Sequence, residues 1–531
     1  MENARVLILG RFDDLTPGGM RAVEVQGKKI LLVRQDDIVT AIGAECPHAG
    51  APLAEGVLTG GRVICPWHKA AFCIRSGALL DPPAVDDLPS YAVEIQNGDI
   101  VLRDVEPQTS SPRIGEDDGR HFAILGAGAA GFSAAQELRK IGFSGAITLI
   151  SHEDALPYDR TVLSKYFLSG KQGGEKSPLQ DEAFFKANKI DRRRAEIIKL
   201  DPEQQLVSLA DGSSFRYDTA LISTGGDIVA PPFPGGDLAN VCTLRSQNDA
   251  EHILSVAKSV KRAVVIGASF IGMEVAASLR ERGLEVTVVG SESAPFERQL
   301  GAEIGNVYRR IHEEKSVTFR LGQQVERLTG ETAVNAVVLK SGEILPADLV
   351  VAGLGVKPAT SFITGLARAS DHGLEVDALL RLSENLYAAG DVAEFPLYGD
   401  GPLTRLEHWR LAEQQGIIAA RNMAGGAERF SAVPYFWTIQ YMIRLDYVGH
   451  ASGDDEQVIR GDLNQRNFIV YYLRNGVVAA AAGMNRDQDM AAIIALMNGR
   501  RNWRLDDLHP RDSCPANVLQ AARQMKVEPF G

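Results

Sequence analysis

The 531-residue chain has only five cysteines, no apolar run long enough to cross a membrane, and no surplus of basic charge. Five cysteines cannot staple a chain of this size. A disulfide scaffold is therefore excluded, and metal binding, chemistry or plain burial remain as their uses. Gly or a charged residue interrupts every apolar stretch, which excludes a transmembrane helix. The opening MENARVLILGRFDD meets Arg and two Asp too soon for a secretory signal, so a cytoplasmic location is expected. A net charge of −12 excludes a chain-wide nucleic-acid surface, which needs a basic face. What is present, 45% apolar and 23% charged residues, is the composition of a globular protein. Its length exceeds what one core serves, and three or four domains are expected.

The texture of the sequence changes three times. The first hundred residues hold short β-branched runs split by turn signals, among them KKILLVRQ, DDIVTAIG, RVIC, YAVEI and DIVL. Asn97-Gly98 between two such runs predicts a two-residue hairpin. The stretch Glu106 to Arg120 lacks periodicity and is rich in Ser, Pro, Gly and acid, which predicts an exposed linker. HFAILGAGAAGFSAAQELRKIGFSGAITLIS then reads as strand, glycine turn, helix and strand. KRAVVIGASFIGMEVAASLRERGLEVTVVG repeats that plan about 140 residues later. Two βαβ units of this kind predict two Rossmann-like α/β dinucleotide-binding domains. From about Ser431 strands, a hairpin and a helical segment predict an α+β C-terminal domain.

Two Cys–His pairs stand close together in the all-β region, Cys46 with His48 and Cys65 with His68, with sixteen residues between the pairs. Zinc knuckles usually pair like with like. Here each knuckle carries one Cys and one His, which fits a two-iron cluster whose irons take the two Cys and the two His respectively. A structural zinc, or no metal at all, is the alternative. CPHAGAPL and CPWH closely resemble the loops of Rieske ferredoxins. Rieske domains of respiratory complexes carry an extra Cys in each loop and a Ser bonded to a sulfide; here Gly50, Trp67 and Ala70 stand at those positions. The resemblance is therefore to the dioxygenase-type ferredoxins, and it implies a potential near the low end of roughly −150 to +300 mV. Lys69 occupies a position where the family usually has Gly. Cys73 reads as a packing residue.

LGAGAAG places Gly126, Gly128 and Gly131 in a G-x-G-x-x-G turn, with Ala129 and Ala130 opening the helix, where backbone can approach a pyrophosphate. An acid about twenty residues on should bind ribose hydroxyls; Glu153 is the candidate, flanked by His152 and Asp154. LPYDRTVLSK closely resembles a segment of FAD-dependent ferredoxin reductases and apoptosis-inducing-factor-like flavoproteins. The resemblance implies that Arg160 supports the FAD phosphates and that Lys165 lies near the flavin. A solvated surface pair is the plain alternative. It also implies Thr224 in LISTGG, Asp391 in LYAAGDVAEF, Ile197 in AEIIKLD, and His408 and Trp409 in LEHWRLAEQQG as FAD contacts. The second turn carries Gly267, Ser269 and Gly272, with Phe270 and Ile271 between the last two. It suits a nicotinamide dinucleotide. Glu292 after the next strand favours NADH over NADPH, with Arg298 further off. Gly353 and Gly355 in AGLGVKP resemble the strand closing over the nicotinamide half. Glu274 can simply complement a helix dipole; in the resembling reductases it faces the Lys beside the flavin, which implies a Lys165–Glu274 catalytic pair.

These readings divide the chain into a Rieske domain (1–106), a linker (107–120), an FAD-binding domain in two segments (121–245 and 368–430), an NAD-binding domain (246–367) and the C-terminal domain (431–531). The implied function is an NADH-dependent FAD oxidoreductase that passes electrons to its own Rieske cluster. From there they reach an external protein acceptor such as a terminal oxygenase, a cytochrome P450 or a ferredoxin. Disulfide reductases need a Cys pair close after the FAD turn, which is missing. The alternative from another class is a redox-gated interaction protein whose oligomeric state responds to NADH, as in apoptosis-inducing factor.

Overall fold

A computed structural model describes residues 7–104, 106, 115–171, 178–499 and 502–505. Most of the expected linker, residues 107–114, lies outside them, as does the end of the C-terminal domain after residue 505.

The N-terminal region is all antiparallel β. One four-stranded sheet joins Met20–Val25, Lys28–Gln35, Ile38–Gly43 and Ser90–Tyr91; a second joins Val57–Thr59, Arg62–Ile64, Ala71–Cys73 and Leu79–Asp81. Val93–Gln96 and Asp99–Leu102 pair around Asn97 and Gly98, whose φ values of 51° and 81° are those of a type I′ turn. Leu31, Ile42, Leu53, Val63 and Phe72 are fully buried together with Cys46 and Cys65. The two Cys–His loops thus rise from a rigid apolar base.

The first βαβ unit contributes His121–Leu125 and Ala146–Ser151 to a six-stranded sheet, which also takes Leu386–Ala388 from the returning chain. The sheet is parallel apart from its edge strand Arg381–Ser383. Helix Ala129–Lys140 packs on helix Trp409–Met423, where a Cβ on Gly416 would stand 2.1 Å from the Ala130 carbonyl. Only glycine allows that approach. The second unit forms a parallel five-stranded sheet in the order Val241–Cys242, Leu349–Ala352, Arg262–Ile266, Glu285–Val289, Thr318–Arg320. Val241–Cys242 therefore pairs in the second sheet, ahead of the division expected at 245/246. So short a strand carries no periodicity from which to assign it. The C-terminal region is a five-stranded antiparallel sheet with helix Asp487–Gly499 against it.

Candidate functional site

The two Cys–His loops close on themselves. Cys46 N–H donates to the Ala51 carbonyl at 2.9 Å, and Cys65 N–H to that of Ala70 at 2.7 Å. This brings the sulfur atoms together and the imidazoles together as two separate pairs. His48 Nδ1 and His68 Nδ1 are 3.0 Å apart. The two thiols are hydrogen-bonded to each other, which drives Cys46 upward and pulls Cys65 down to about 6. Backbone N–H groups of His48 and of Trp67 and His68 point at the two sulfur atoms. Burial holds His68 well below its ordinary pKa, which keeps the imidazole neutral. Among the described residues no group of three or more His, Cys, Asp or Glu converges on one metal position. Mononuclear zinc needs such a point. A cluster with one iron for each like pair does not, and the donor set fits it.

The outer edge of the imidazole pair faces the rest of the molecule. His48 Nε2 lies 3.9 Å from Asp159 Oδ2. The His68 ring sits on Trp437, centroids 4.6 Å apart, and Tyr435 stacks on that indole at 5.8 Å. Trp437 and Tyr435 also line a cavity of about 880 Å³ that runs between both dinucleotide turns.

That cavity receives most of the residues expected to hold cofactors. On its first side are Gly126, Gly128, Ala129, Ala130, Glu153, Arg160, Lys165, Ile197, Thr224, Asp391, His408 and Trp409. The three glycines differ in role. Gly126 has φ 109° and would press a Cβ against the Ser223 carbonyl at 2.3 Å. A Cβ on Gly131 would lie 1.8 Å from the Gly126 carbonyl, whereas one on Gly128 would meet nothing within 4 Å. The middle glycine thus leaves an open cradle at a helix N-terminus, which fits a dinucleotide pyrophosphate. Glu153 accepts from the Tyr158 hydroxyl at 2.7 Å and pairs with Arg160. Asp154 points away, to Arg194. Asp391 pairs with Arg245 at 2.9 Å. Thr224 turns its hydroxyl to the Ala359 carbonyl. Burial pulls His408 down to about 4.

On the second side Ser269, Phe270, Ile271, Gly272, Gly353 and Gly355 line the cavity. Gly267 (φ 110°) and Gly131 lie behind the lining and make the turns possible. Glu292 also lies outside the lining, paired with Arg298 at 2.7 Å. Between the two sides Lys165 Nζ meets Glu274 Oε2 at 3.1 Å, both buried. Lys165 sits on a π-helical turn, Leu163–Phe167, and also donates to the Thr161 carbonyl at 2.9 Å. Glu274 accepts from the hydroxyls of Ser164 and Thr438. Sequence reasoning missed Asp159, Trp437, Tyr435 and Arg245. Asp159 stands in the quoted LPYDR segment beside Arg160, and Trp437 in an aromatic strand whose partner is 369 residues away in sequence.

Residues 120–416 match the pyridine nucleotide-disulphide oxidoreductases. The chain belongs to that family. Ahead of this match, residues 6–92 match the Rieske 2Fe-2S domain, and residues 435–513 match the reductase C-terminal domain. The oxidoreductase is 36% identical over 506 residues to apoptosis-inducing factor 3 of Mus musculus, covering 92% of this chain and 83% of that one. It is 35% identical over 376 residues to rhodocoxin reductase of Rhodococcus erythropolis, covering 70% and 88%. The solved ferredoxin reductase from Rhodopseudomonas palustris superposes with a TM-score of 0.72 at 30% identity, over 76% of this chain and 100% of the other. The oxidoreductase therefore has sites for FAD and a nicotinamide dinucleotide, and its Rieske domain one for a 2Fe-2S cluster. Among the described residues no cysteine lines the cavity, so no thiol pair faces the flavin site. No helix among them is long and apolar enough to cross a membrane.

Proposed function

We propose that this oxidoreductase takes electrons from NADH, passes them inward to its own Rieske centre, and gives them singly to an external protein acceptor. That acceptor is an oxygenase component, a cytochrome P450 or another ferredoxin. Bound flavin supplies the conversion of a two-electron hydride into single electrons, and a bound two-iron cluster takes them one at a time.

The chain's own residues serve that order. Gly128 and the helix start behind it receive the pyrophosphate, with Arg160 and Asp391 placed along the same cavity wall. Lys165 and Glu274 hold each other at the meeting of the two dinucleotide sides, where they orient the reacting rings and exclude water. Glu292 follows strand Glu285–Val289 where an acid would receive ribose hydroxyls, and it holds Arg298, the group that would receive a 2′-phosphate, at 2.7 Å, which supports NADH. One observation carries the reading: the imidazole edge of the cluster site abuts the cavity through Trp437, on which His68 sits and which lines the cavity beside Tyr435. A redox-gated binding module has no use for that edge facing inward.

Anaerobic mixing of fully loaded protein with NADH should reduce flavin and then bleach the cluster spectrum, with NADPH at least about tenfold poorer in kcat/KM. A cluster that stays oxidised with either nucleotide would overturn the proposal.

A further inference from the structure

The Rieske domain meets the reductase through hydrogen bonds to its backbone carbonyls and through side-chain pairs. Arg410 Nε donates to Pro82 O at 2.6 Å, Gln136 to Val85 O at 2.9 Å, Gln488 to Glu55 O at 2.8 Å and Tyr435 Oη to Trp67 O at 3.1 Å. Charged pairs also cross at Asp81–Arg410, Asp87–Lys140 and His48–Asp159, but among the described residues only one is buried on both sides. Lys69, next to His68, reaches across the interface to Asp446 Oδ2 at 2.8 Å, with side-chain exposures of 0% and 2%. Asp446 belongs to strand Ile443–Gly449 and also accepts from the Tyr435 hydroxyl at 2.9 Å.

The backbone at Lys69 is left-handed, φ 64°. Glycine adopts that conformation without penalty, and a side chain adds strain. A fully buried ammonium adds a desolvation cost. The chain accepts both at the residue following a cluster ligand, and what it obtains is a charged tie to a domain 377 residues away. Such a pair is a poor source of stability but a good device for specifying one arrangement.

We propose that Lys69 is a positioning residue whose pair with Asp446 fixes the Rieske domain in the single orientation that sets His48 and His68 against the flavin cavity. This rests on the inward electron path proposed above. The domain works docked, as a fixed relay and not as a tethered shuttle.

Lys69 also donates to the carbonyls of Pro66 and Trp67 in its own loop, so a purely local role must be separated. Two variants do so in the loaded full-length protein. Asp446→Asn leaves the local bonds intact and removes the charge on the far side. Lys69→Gly relieves the backbone and removes the ammonium. Cluster content should match wild type in both, as should NADH-driven reduction of a small acceptor served by the flavin, while the cluster potential should move down in Lys69→Gly and up in Asp446→Asn, so that a slowing common to both reports docking and not driving force. Cluster reduction by NADH in stopped flow should be at least about tenfold slower in both, the effect of one decade lost from the docked population. Wild-type rates in both variants would overturn the proposal. Loss of the cluster from Asp446→Asn would also overturn it, by making the pair a support of the metal site. Failure of the wild-type cluster to accept electrons from NADH is a different result, and it would remove the underlying electron path instead.

Discussion

At the scale of single residues the meeting of the two dinucleotide sides is the informative place. Lys165 and Glu274 come from segments 109 residues apart and form a buried pair at 3.1 Å. Three donors converge on Glu274: the Lys165 ammonium and the hydroxyls of Ser164 and Thr438. Removing the ammonium leaves the two hydroxyls in place, so Lys165→Ala should fold and retain FAD. The reacting rings lose an orienting charge, and misplacement at this scale costs about a hundredfold in rate. Anaerobic stopped-flow reduction should show that loss with unchanged FAD content; an unchanged rate would remove Lys165 from the hydride step. The pairing of these two residues was expected from resemblance alone. Nothing in their separate neighbourhoods, a polar loop and a helix start, points from one to the other. Lys69 is the opposite case. Its sequence position already marks it as unusual, but its partner Asp446 lies in a strand buried on both faces from Leu445 onward and could be found only in three dimensions.

The strand–turn–helix element shows how one motif divides its labour. Gly131 is needed for the fold, because its Cβ would overlap the Gly126 carbonyl at 1.8 Å. Gly128 is needed for the ligand, because its φ is −77° and its Cβ would meet nothing within 4 Å. Gly128→Ala should therefore leave the apoprotein's melting temperature within about 2 °C of wild type while weakening FAD binding at least tenfold, about 1.4 kcal/mol. Gly131→Ala should fail to fold or lose several kcal/mol, as overpacked sites do, roughly 1–3 kcal/mol or more. FAD titration and thermal melts separate the two; equal behaviour would mean that the cradle is not where FAD binds. The helix, turn and strand of this element were legible from hydrophobic spacing and glycine placement, since both are local properties. The short strand Val241–Cys242 was not legible, because its place in the second sheet comes from pairing with Leu349–Ala352.

On the scale of the whole molecule, stability depends on contacts between the units, and one of them makes it sensitive to pH. His312, on helix Ala302–Glu314, is fully buried and bonds Gln440 of the C-terminal sheet at 2.7 Å. Burial lowers its pKa from 6.5 to about 4. Between those values the folded state holds fewer protons than the unfolded chain. Its contribution is complete above pH 6.5 and is lost as pH falls toward 4, to the extent of about 3 kcal/mol. Denaturation midpoints between pH 7 and 4.5 should fall less steeply for His312→Gln than for wild type; parallel curves would show that this histidine is not a source of acid sensitivity. The sequence by itself determined the architecture, an all-β domain with two Cys–His pairs at Rieske spacing followed by two dinucleotide turns, because strand patterns, glycine turns and motif spacings are short-range. Only the tertiary structure decided that the cluster's imidazole edge turns inward onto Trp437 and Asp159 and that Lys69 ties the Rieske domain down. Those contacts join residues hundreds of positions apart, and no local pattern encodes which surfaces of separately folded units will meet.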